Sequence, residues 1–147
     1  MPTTLSVQDL DVTIEGQGPT VVMLHGWPDS PALWDETVVA LRDGYRCVRF
    51  ALPGYDLNKP PRPVSVDQMC ELVGAVVDAV SPGEPVQLLL HDWGCFFGYE
   101  YAARHPQRVA RVVGVDLGDT NSGAYLKALS AKEKLLIAGY QLWLALA

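Results

Sequence analysis

Cysteine and basic charge are both scarce in this chain, and each shortage removes a class of protein. Cys47, Cys70 and Cys95 form an odd set of three without close spacing, so neither a disulfide framework nor a cysteine-built zinc site fits. They suit a reducing, cytoplasmic setting. Eleven basic residues stand against 17 acidic ones, for a formal charge of −6. They form no basic run, which argues against binding to nucleic acid or an anionic membrane. Met1-Pro2-Thr3-Thr4-Leu5 lacks the basic start and apolar stretch of a secretory signal. Long apolar runs are missing too. Leu135 to Ala147 has 13 residues, whereas a spanning helix needs about 20. No phosphate-cradling glycine motif occurs, and Gly16, Gly18 and Pro19 read as a turn between strands. Repeats and linkers are also absent.

The 147 residues suffice for one domain with a real core. Strands are expected near Leu5–Val7 and Asp11–Ile14, then at Thr20–Leu24, Tyr45–Phe50, Val86–Leu90 and Val109–Val115. Helices are expected over Leu33–Leu41, from the Ser65-Val66-Asp67-Gln68 capping box to Val80, and over Phe96–His105. Alternating strands and helices imply an α/β fold, a mostly parallel sheet with helices on both faces. The proline-rich loop Leu52 to Val64 is expected to border the mouth of a site.

Two loops carry the chemistry. In Leu88-Leu89-Leu90-His91-Asp92-Trp93-Gly94-Cys95 a buried strand meets a helix at a sharp turn, with Gly94 letting the two pack closely. That is the layout of a nucleophile elbow with a carboxylate at its tip. A carboxylate there can displace a leaving group from carbon and form an ester. The alternative is that Asp92 only caps the helix that follows. Upstream, Thr20–Leu24 runs into His25-Gly26-Trp27-Pro28-Asp29-Ser30, a loop suited to offering backbone N–H groups to a developing anion. Its alternative is a plain strand-to-helix turn capped by Asp29 or Ser30.

His25-Gly26-Trp27-Pro28, Leu52-Pro53-Gly54-Tyr55 and His91-Asp92-Trp93-Gly94 together resemble the α/β-hydrolase group of epoxide hydrolases and haloalkane dehalogenases. The similarity runs from about Glu15 to Leu117. It implies an α/β-hydrolase fold, cut after the sixth strand and the start of a helical cap, with core residues 1–120 and cap residues 121–147. It also implies that Asp92 is the nucleophile and that the N–H groups of Trp27 and Trp93 form the oxyanion hole, in a loop built from His25, Gly26 and Pro28. The substrate is then a small epoxide or haloalkane, with no cofactor and no metal. Trp27 is usual in epoxide hydrolases, where many dehalogenases carry Asn. Trp93 argues against fluoroacetate dehalogenases, which carry Arg there. Leu90 departs from the small residue common in epoxide hydrolases and is more like the dehalogenases.

The same resemblance assigns Tyr140, about 48 residues after Asp92, as the acid that protonates the opening epoxide, with Tyr125 as its rival. Asp116, at the end of the Val109–Val115 strand, is a candidate to orient the base histidine. That histidine has no counterpart: His25, His91 and His105 all precede the cap. The expectation is therefore an incomplete hydrolase that forms the ester and stalls. The alternative of another class is a non-catalytic fragment that binds a ligand or a partner half. Ser130-Ala131-Lys132-Glu133 opens a final helix rich in leucine, which is expected to favour association through its exposed apolar face.

Overall fold

The computed structural model describes residues 2–55, 62–118 and 123–146, with the side chains of 125, 126, 141 and 144–146 left aside. Residues 56–61 of the proline-rich loop and 119–122 at the expected core–cap boundary lie outside the described residues, as does the side chain of Tyr125. Six strands form one sheet: β1 (Thr3–Val7), β2 (Leu10–Glu15), β3 (Thr20–Leu24), β4 (Arg46–Arg49), β5 (Val86–His91) and β6 (Val109–Val115). Their order is β1-β2-β4-β3-β5-β6. The pairs β4–β3, β3–β5 and β5–β6 are parallel, while β1–β2 and β2–β4 are antiparallel.

The helices follow from local chemistry. α2 (Val66–Val80) starts at a complete capping box: the Ser65 hydroxyl accepts from the Gln68 N–H, and the Gln68 side chain accepts from the Ser65 N–H. Such a cap contributes about 1 kcal/mol. α1 (Asp35–Leu41) is preceded by one tight turn over Pro31–Trp34, capped by the Ser30 hydroxyl. Pro31 suits that first position because it has no N–H to leave unpaired. α3 (Trp93–Arg104) begins directly after β5, three residues earlier than the Phe96 expected from sequence. α4 (Gly123–Ala128) and α5 (Ala131–Leu146) close the described chain, with Ser130 and Glu133 forming the second capping box.

Burial alternates along the strands and puts a core on each face. Val22, Leu24, Val48, Val86, Leu88 and Leu90 pack against α2 and α3. On the opposite face Val21, Met23 and Cys47 meet Trp34 and Val38 beside α1. The connection from β3 to β4 thus runs on one face, and the one from β4 to β5 returns on the other. At that reversal the carboxyl ends of β3 and β5 lie side by side, Leu24 paired with Leu90. Such a switch point is where α/β sheets place ligands.

Leu90 shows how one bulky residue is accommodated. It is fully buried, and its methyl groups occupy the space where a side chain at position 98 would stand, so α3 carries Gly98 there. Gly98→Ala gains about 1 kcal/mol of helix propensity but overpacks Leu90 at a cost of about 1–3 kcal/mol. We expect it to lower the urea midpoint in the native chain and to raise it in a Leu90→Ala background. Urea unfolding of the four-member cycle measures that sign change.

Candidate active site

Two loops meet beyond the ends of β3 and β5. Asp92 stands at φ 50° and ψ −121°, a conformation few side-chain-bearing residues adopt. Its side chain makes no cap hydrogen bond to α3, so the helix-cap alternative does not describe it. Instead its carboxylate is turned towards β3, where Oδ2 accepts the Trp27 backbone N–H at 2.8 Å.

Two glycines allow this approach. A Cβ at Gly26 would overlap the Asp92 carboxylate, and one at Gly94 would overlap the carbonyl oxygens of Leu24 and His25. Trp93, as the first residue of α3, has an N–H without a partner among the described residues, one of the free donors at any helix start. The donors expected of Trp27 and Trp93 thus lie on the two segments that flank Asp92. The Trp27–Pro28 bond is cis.

His25 lies within this loop but is closed off from solvent. Its Nε2 accepts the Leu52 N–H at 3.0 Å, which leaves the proton on Nδ1, 2.9 Å from the Gly26 carbonyl. Both ring nitrogens are therefore used in holding the oxyanion loop to the segment after β4. Burial lowers the imidazole pKa from its ordinary value, and repulsion from His91 adds to that, while the Gly26 bond and Asp29 oppose it.

Tyr55, the last residue of the Leu52-Pro53-Gly54-Tyr55 motif, is a site residue whose place the sequence alone does not assign. Its ring makes edge contacts with His25, Trp27 and Phe97, with centroids 6.2–6.3 Å apart. Burial first, and the charge of Asp92 second, push its phenol up to about 12. Trp93 stacks on Phe97 at 6.2 Å, so the carboxylate sits among aromatic walls. The described end of the proline-rich loop, through Leu52 and Tyr55, borders the site as its position in the chain suggests.

The remaining candidates are placed differently. Asp116, at φ 82°, lies 3.9 Å from His91 Nε2 through its Oδ2. Tyr140 is 58% exposed on α5, and no hydrogen bond or ring contact joins it to the site among the described residues. His105 contacts the Tyr101 ring at 4.9 Å, at the far end of α3. Cys95 is buried, and burial raises its thiol, so it behaves as a small core residue rather than a helix-end thiolate. No group of three or more His, Cys, Asp or Glu is arranged to hold a metal among the described residues. No helix among them is long and apolar enough to cross a membrane.

The state of His25 has a measurable consequence. Its pKa is lowered in the folded chain from the ordinary 6.5, so the unfolded chain binds the proton first as pH falls. The stabilisation is fully present above 6.5 and is lost as pH drops through that value towards the folded pKa. Urea midpoints measured between pH 8 and 5 should decline below about 6.5, and His25→Asn should remove that part of the slope while lowering stability throughout.

With the geometry in place, comparison with known proteins is direct. Over 90 residues the chain is 43% identical to the probable oxidoreductase EphD of Mycobacterium tuberculosis, covering 59% of this chain and 15% of that protein. It is 38% identical over 104 residues to epoxide hydrolase B of the same organism, covering 69% and 29%. Among solved structures, the Vigna radiata epoxide hydrolase VrEH1 superposes with a TM-score of 0.70 at 28% identity, covering 80% of this chain and 40% of that one. The chain thus spans well under half the length of each of these proteins. A family model described as alpha/beta hydrolase fold matches residues 19–141. The chain belongs to the α/β-hydrolase fold family, and its similarity to the epoxide hydrolase group covers the amino-terminal portion of that fold.

Proposed function

We propose that this chain carries the nucleophilic half of an epoxide-hydrolase-type site, with Asp92 as nucleophile. The observation that carries the reading is the Trp27 N–H on Asp92 Oδ2. A carboxylate held by one oxygen has the other free, so Oδ1 attacks the epoxide carbon. The ring C–O bond breaks, its electron pair moves to the ring oxygen, and an alkyl ester forms on Asp92. Oδ2 becomes the ester carbonyl oxygen, already seated where negative charge develops when water adds. The N–H groups of Trp27 and Trp93 are the proposed donors, and the rings of Tyr55, Trp93 and Phe97 border the site.

Resemblance alone assigns to Tyr140 the proton that the opening ring oxygen takes up. The same reading makes residues 121–147 the beginning of a cap and leaves the exposed α5 face for association. Hydrolysis of the ester needs a base, which the resemblance places on a histidine after the cap; His25 is held by two hydrogen bonds and His105 lies against Tyr101 at the far end of α3. The ester should therefore accumulate. A haloalkane is the alternative electrophile, with the Trp93 indole N–H on the departing halide.

Intact mass spectrometry after exposure to styrene oxide or a bromoalkane tests this. We expect a persistent adduct on Asp92 with the epoxide, and none in Asp92→Asn. A bromoalkane adduct alone would select the dehalogenase alternative, and no adduct on a folded chain would leave the binding-fragment reading in front. Gly26→Ala crowds Asp92 and displaces the Trp27 donor, so ester formation should slow by roughly 10²–10³-fold. Tyr140→Phe should slow attack on the epoxide and spare the bromoalkane; equal loss of both contradicts the role given to Tyr140.

A further inference from the structure

His91, the last residue of β5, is not needed as nucleophile, acid or oxyanion donor, yet it is the one imidazole set between carboxylates. Nδ1 lies 3.5 Å from Asp29 Oδ2, and Nε2 lies 3.9 Å from Asp116 Oδ2. The ring is mostly buried, its side chain 23% exposed. Nδ1 is fully enclosed and has no hydrogen-bond partner among the described residues. A buried polar atom in that condition calls for an explanation.

The three residues come from three neighbouring strand ends. Asp29 follows β3, two residues after Trp27, whereas Asp116 follows β6 in the left-handed region of backbone space. His91 pairs with Val115 across the sheet and adjoins Asp92 in sequence. The ring thus connects the segment carrying the oxyanion donor, the elbow and the outer strand.

We propose that His91 is a positioning residue: as imidazolium it draws Asp29 and Asp116 onto its two ring nitrogens and so holds the Trp27 N–H on Asp92. The inference rests on the reading of Asp92 as nucleophile. A neutral imidazole can donate from one nitrogen only, whereas the cation donates from both, which matches an acceptor on either side. Charge-assisted bonds are also about twice as strong as neutral ones. The carboxylates beside the ring are Asp29 and Asp116, Asp92 follows it in sequence, and His25 is kept neutral by its own two bonds. Rising pH removes the imidazolium proton and slackens the loop.

The test reads the Trp27 amide by NMR in the full chain. Its proton shift should follow the His91 ring as that ring titrates, and its exchange protection should fall on the alkaline side. His91→Gln should abolish that step and cut Trp27 protection roughly tenfold, about the loss of one hydrogen bond, while the core amides of Val22 and Leu88 keep theirs. Asp29→Asn retains the ring and should also weaken protection, which covers the case in which His91→Gln does not fold. A Trp27 step that persists in His91→Gln belongs to His25 and overturns the proposal, as does unchanged protection in both variants. Because the amide is read without chemistry, a chain that forms no ester yet couples Trp27 to His91 would sink the nucleophile reading and leave the clamp standing.

Discussion

At Gly94 the backbone of α3 comes so close to the carbonyl groups of Leu24 and His25 that a methyl group has no room. This approach sets the distance between the helix and the central strand, and with it the sharpness of the turn at Asp92. Because the turn is sharp, the Asp92 side chain points across to the β3 loop instead of back onto its own helix. Because the β3 loop has Gly26 at the point of contact, the carboxylate reaches the Trp27 N–H. Remove the close approach and the positive φ of Asp92 has nothing to hold it. The strain at that residue, of order 1–3 kcal/mol, persists because packing on both sides of the turn determines it.

The electrostatics of the edge divide His25 and His91 by environment. His25 faces a carbonyl and an N–H, so it is fixed in one neutral tautomer and acts as a staple between the segments after β3 and β4. His91 faces two carboxylates and has a nitrogen without a hydrogen-bond partner among the described residues. Tyr55 stands beside Asp92 and keeps its proton more firmly than an ordinary phenol, so the ring packs against the oxyanion loop without adding a second negative charge. The carboxylate is thus the anion around which the loop is arranged, and its only direct protein hydrogen bond among the described residues comes from the backbone of Trp27.

What was legible in the sequence was what short range decides. The capping boxes at Ser65 and Ser130 mark helix starts to the residue, because the bonds that define them span three positions. β3 and β6 match the expected spans end to end, β3 as a buried central strand and β6 as a largely exposed edge strand carrying Arg111. Tyr45 and Phe50 fall outside β4, whose ladder with β3 runs from Arg46 opposite Thr20 to Arg49 opposite Met23. α3 begins earlier than its apolar pattern because a single strained residue, rather than a longer turn, joins it to β5. The elbow and the oxyanion loop were visible as motifs, but the contact between them spans 65 positions and needed the fold. Tyr55 was legible as part of a motif and of a loop near the site, but not its contacts, and the flanking of His91 was not legible at all. Both depend on which strand ends become neighbours, and no local pattern records that.

The pairing of Leu90 with Gly98 has a bearing on descent. The strand residue and the helix residue share one volume, and whichever is large obliges the other to be small. Enlarging position 98 first overpacks Leu90, and shrinking position 90 first opens a cavity, so either order passes through a destabilised intermediate. Among relatives of this chain the two sites should therefore covary in size. The residue two places before Asp92 then records the history of a helix face more than the choice of electrophile.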